Sequence, residues 1–203
     1  MLNQYKIINP SNKHLYTIIL LHGMYSNNES FNNFLHYFKN SDKYKSIYNN
    51  IKFIIPNSPI ITLHYCYPYL NNISSWYDYF TNYDGLCKLD EIGVHEFNYQ
   101  SERIANIIKE EAIILKNNKN IFIIGVSQGG TLSFNIIKYL SFNIGAIVCI
   151  NTIYMNKYIK INKKYNKIPI YIYSLFKDEI YPYKFQKKCY KFLDKNNFKL
   201  KWY

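Results

Sequence analysis

Ile121-Phe122-Ile123-Ile124-Gly125-Val126-Ser127-Gln128-Gly129-Gly130-Thr131-Leu132 decides how this chain is read. Four apolar residues of strand length run into Gly-Val-Ser-Gln-Gly, and Leu132, Ile136 and Leu140 then recur on one helical face. That is strand, sharp turn and helix, with Ser127 at the apex of a G-x-S-x-G elbow. Gly125 and Gly129 keep Cβ atoms apart where strand and helix nearly touch. The hydroxyl stands clear at the carboxyl edge of a sheet, beside N–H groups at a helix start that favour negative charge.

Outward from the elbow, strand and helix signals alternate. The runs 15–21, 51–55, 145–150 and 170–175 read as buried strands, and 198–202 as a last one. Phe31, Phe34, Leu35 and Phe38 mark a helix, capped by Ser26 or Asn28. Residues 97–116 read as a long helix, and Phe185, Cys189, Phe192 and Leu193 mark another. Residues 56–95, with three prolines and many aromatics, show no period; a stretch this long suits the border of a substrate groove. The alternation predicts a single α/β domain over 1–203, with a mainly parallel doubly wound sheet and helices on both faces.

The 203 residues carry a formal charge of +12, all of it beyond residue 100, where eighteen Lys or Arg stand against six Asp or Glu. A solvated lysine-rich face accounts for most such runs, and attraction to an anionic membrane surface is the functional reading. No nucleic-acid motif accompanies the charge. Cys66, Cys87, Cys149 and Cys189 lack C-x-x-C spacing and read as reduced thiols of a cytoplasmic protein. The N-terminal stretch has no signal-peptide core, and the apolar run 15–21 is too short to span a bilayer.

Acyl transfer through serine needs a nucleophile, a base, an acid that orients the base, and oxyanion donors. Ser127 supplies the first. The backbone N–H groups of Met24, just after His22-Gly23, and of Gln128 supply the last. Asp178, with Glu179 as its neighbouring competitor, follows a strand beyond the elbow and is the candidate acid; a loop carboxylate capping the next helix is the alternative. The five histidines, His14, His22, His36, His64 and His95, all precede Ser127. Three readings stay open: a shortened version of a working enzyme, a pseudoenzyme that keeps the pocket for binding, or a histidine from elsewhere, such as His22 or His95, standing in. For those two, a structural role is favoured.

These residues resemble the acyl-protein thioesterase / phospholipase–carboxylesterase family of α/β-hydrolases. The resemblance runs from about Tyr16 to Tyr203. It rests on Leu21-His22-Gly23, Lys52 to Pro59, Ser75-Trp76-Tyr77-Asp78, the Gly125–Gly130 elbow and Asp178 to Pro182. It implies Ser127 as nucleophile, Asp178 as acid, Met24 and Gln128 as oxyanion hole, and Trp76 as a wall of the acyl groove. It implies hydrolysis of acyl thioesters or esters, with acylated proteins or lysolipids as substrates and neither metal nor cofactor. Two departures stand out. Tyr25 replaces a glycine of the family's oxyanion turn. The family's histidine loop and closing helix are not present within the sequence, which ends on Lys199-Leu200-Lys201-Trp202-Tyr203.

Overall fold

A computed structural model describes residues 5–83 and 88–203. Cys87 lies outside the described residues. The elements, in chain order, are β1 (Tyr5–Ile8), β2 (Tyr16–Leu21), α1 (Asn32–Asn40), α2 (Lys45–Tyr48), β3 (Ile51–Pro56), β4 (Ile60–Leu63), β5 (Leu70–Ser74), α3 (Val94–Leu115), β6 (Ile121–Val126), α4 (Gln128–Ile136), β7 (Ala146–Ile150), β8 (Ile170–Tyr173), α5 (Tyr183–Lys195) and β9 (Leu200–Trp202).

Seven strands form one sheet in the order β1-β3-β2-β6-β7-β8-β9. Every pairing is parallel except β1 with β3, which is antiparallel. Side-chain alternation splits the core into two layers. Leu20, Phe53 and Ile55 face one way and pack with Phe31 and Leu35 at the start of α1. Ile19, Leu21, Ile123, Ile147 and Ile172 face the other way and pack with residues of α3, α4 and α5. The elbow strand β6 is central, so Ser127 emerges at the middle of the carboxyl edge.

Two features add to the sequence reading, and one expectation changes. The polar N-terminal stretch contributes β1, whose four residues gain order by pairing with β3. The aperiodic segment 56–95 contains an antiparallel pair, β4 with β5, set apart from the main sheet. Asn27, not Ser26 or Asn28, caps the turn leading into α1, its side chain accepting from Glu29 N.

A buried polar anchor lies at the amino end of the sheet. Glu111 of α3, 3% exposed, accepts from Lys52 Nζ at 2.5 Å and Thr17 Oγ1 at 2.8 Å. Cys66, Cys149 and Cys189 are free thiols. Among the described residues no helix is long and apolar enough to cross a membrane.

Candidate active site

Ser127 has φ 49° and ψ −117°, a conformation that L-residues rarely hold. The surroundings impose it. Ser127 N–H donates to Ile150 O at 2.8 Å, and Thr152 Oγ1 donates to Ser127 O at 2.7 Å. The crossing is too tight for side chains. A Cβ on Gly125 would lie 2.5 Å from Gly130 Cα, and one on Gly129 would lie 2.4 Å from Leu21 O. The turn thus delivers the hydroxyl to the start of α4, over the Gly23 backbone.

Ser127 borders a cavity of ≈ 580 Å³. Met24 and Gln128 border it too, and neither backbone N–H donates to a protein acceptor among the described residues. Rings of Phe31, Tyr65, Tyr79 and Tyr181 wall it. The aperiodic stretch lines this cavity through Tyr65 and Tyr79. The Gln128 side chain is a brace: its Oε1 accepts from Trp76 N, and its Nε2 donates to Ser75 Oγ and Tyr77 O.

Trp76 is not on the cavity wall. It is fully buried, its Nε1–H donates to His22 O at 2.8 Å, and its ring lies 5.0 Å from the imidazole of His22. It supports the His22-Gly23 turn, because the Gln128 side chain holds segment 75–77 against it. The position of a tryptophan in the sequence carries no sign of which side of a loop its ring takes.

Asp178 stands on the loop after β8, at the same carboxyl edge as Ser127, since β6, β7 and β8 run parallel. Its Oδ1 accepts from Ile180 N and Tyr181 N, which folds the loop so that Ile180 and Tyr181 border the cavity. Glu179 is exposed.

Among the described residues no histidine hydrogen-bonds the Ser127 hydroxyl. In His22, Nδ1 donates to Gly23 O at 2.8 Å and Nε2 accepts from Ser58 N at 3.2 Å, so both ring nitrogens are occupied. Burial pushes its pKa down; the Gly23 carbonyl opposes the shift and the Arg103 charge adds to it. His64 is held by Asp78, which accepts from its Nδ1 at 2.5 Å and from its backbone N. His95 lies on the first turn of α3 with its side chain 91% exposed, beside Glu96. His14 pairs with Thr17 near Glu111, and His36 lies with Asn40 on α1.

Tyr25 occupies the turn at φ 62°. Its N–H donates to Ser74 O, and its hydroxyl shares a 3.1 Å hydrogen bond with that of Tyr65. The ring thus forms a partition between the Ser127 cavity and a second one. The sequence gives Tyr25 as a departure from glycine; its partner forty residues away is visible only in the fold.

The model of the phospholipase/carboxylesterase family matches residues 2–202. Similar solved structures include acyl-protein thioesterase 2 of Zea mays (TM-score 0.72, 17% identity, covering 98% of this chain and 88% of that one). Arabidopsis thaliana SOBER1 (TM-score 0.71, 17% identity) covers 92% of this chain and 86% of its own. A Bacillus cereus carboxylesterase (TM-score 0.70, 11% identity) covers 98% and 82%. No curated protein matches the sequence.

Proposed function

The chain belongs to the phospholipase/carboxylesterase family of α/β-hydrolases, and from that premise we propose that Ser127 accepts the acyl group of a thioester or ester. Substrates of this reading are acylated proteins or lysolipids, met at an anionic membrane surface by the lysine-rich half of the chain. The observation that carries it is Ser127 held at φ 49° on a cavity it shares with two undonated backbone N–H groups. The Ser127 oxygen attacks the acyl carbon and the carbonyl electrons move onto oxygen. The N–H groups of Met24 and Gln128 receive that charge, each such donor contributing roughly 3–4 kcal/mol to the transition state. The leaving thiol or alcohol departs protonated, and water then releases the acid from the acyl-serine. Asp178, on the loop after β8 at the same edge of the sheet, is the candidate acid of this scheme, and the proton that Ser127 gives up leaves on the thiol or alcohol.

One observation favours a second reading. None of the five histidines hydrogen-bonds Ser127, which fits a module that binds acyl groups without turning them over. A fluorophosphonate probe separates the two. Labelling of the intact chain that disappears in Ser127→Ala supports the hydrolase. Absence of labelling, together with saturable binding of a fatty-acyl ligand, rejects it in favour of the binding module.

A further inference from the structure

Beyond the Tyr25 partition lies a second cavity, of ≈ 460 Å³, lined in part by Tyr25, Ser58, Tyr99, Gln100 and Arg103. None of its lining residues is an Asp or Glu. Arg103 reaches it from α3 and is half-buried. Its Nε donates to Gln100 Oε1 at 2.8 Å and its Nη2 to Asn57 O at 2.7 Å. The guanidinium lies 5.7 Å from the Trp76 ring. A guanidinium has five N–H donors, and two are accounted for. The remaining three meet no acceptor, and no carboxylate lies within 4.0 Å, among the described residues. Burial disfavours the charge and Tyr99 partly offsets this, yet a guanidinium keeps its proton.

A half-buried guanidinium with free N–H donors at a cavity offers charge and a planar fork to an anion. The fold holds the side chain in place through two hydrogen bonds and a ring, and leaves the Nη1 end open. Gln100, whose Oε1 accepts from Arg103 Nε, also borders the cavity.

We propose that this cavity is an oxyanion subsite, in which Arg103 binds a carboxylate or phosphate group carried by the substrate. Tyr25 and Ser26 line both this cavity and that of Ser127, which assigns the subsite to a part of the substrate beside the reacting serine. That assignment rests on the Ser127 reading; the anion site itself does not.

The test is calorimetric titration of the full chain with inorganic phosphate and, separately, with succinate. Saturable binding is expected for at least one, equal in wild type and Ser127→Ala. Arg103→Gln should weaken it by about tenfold or more, equivalent to about 1.4 kcal/mol. Arg103→Lys, which keeps the charge but loses the planar fork, should fall between. Tighter phosphate binding identifies a phosphoryl-bearing substrate, and tighter succinate binding a carboxylate-bearing one. No binding of either anion by wild type overturns the proposal, as does Arg103→Gln or Arg103→Lys binding as tightly as wild type. Loss of fluorophosphonate labelling with anion binding intact would instead remove the Ser127 reading alone.

Discussion

At Ser127 the backbone holds a left-handed conformation that costs of order 1–3 kcal/mol, so its neighbours must enforce it. Gly129 is one of them: a methyl there meets Leu21 O at 2.4 Å and His22 O at 2.6 Å, both backbone atoms with nowhere to rotate. Gly129→Ala should therefore lower stability by about 2 kcal/mol or more, read from the urea midpoint, and reduce serine labelling in parallel. His22 sets a pH dependence. Its folded value lies below the ordinary 6.5, mainly through burial. Between that depressed value and 6.5 the unfolded chain binds a proton that the folded chain refuses, so stability falls as pH falls through this window. His14 is lowered as well, again chiefly by burial, and adds to the slope. The thermal midpoint should drop from about pH 7 to about pH 5, and His22→Asn should flatten that drop.

At the scale of elements, α3 is fixed to the sheet at two levels. Apolar Ile104 and Ile108 pack on the core, and Glu111 closes the amino end on Lys52 and Thr17. Removing Lys52 leaves a carboxylate buried without its cation. Lys52→Met should cost about 3 kcal/mol in unfolding free energy, while Lys52→Met with Glu111→Leu should recover much of that loss. The periodic parts of these elements were legible in sequence because their burial pattern is local. Ile104, Ile108 and Ala112 mark α3 without knowledge of what covers them. The β4–β5 pair was not legible, because Leu63 is buried by what surrounds the hairpin and no alternation runs along it. β1 likewise depends on its partner β3.

Across the whole molecule, charge is divided as the chain is. The excess of +12 falls after residue 100, much of it in 157–167 and on α5. Leu175, Phe176 and Ile180 are exposed beside that helix, and Ile180 borders the Ser127 cavity. Lysines around exposed apolar side chains suit an anionic lipid surface, where each basic residue contributes about 1 kcal/mol. The chain should co-sediment with phosphatidylserine vesicles at low salt, lose that binding at high salt, and ignore neutral vesicles.

The amino-acid sequence by itself determined the elbow, the order of the buried parallel strands and of the longer helices between them, and the family. Each depends on residues a few positions apart, whose spacing dictates backbone geometry before any distant contact forms. Tertiary structure alone decided that Trp76 lies against the His22-Gly23 turn, that Tyr25 and Tyr65 meet, that His22 has both nitrogens engaged, and that Arg103 faces a cavity without a carboxylate. Those outcomes depend on which surfaces come together across 36 to 54 residues of chain, and spacing along the chain carries no record of them.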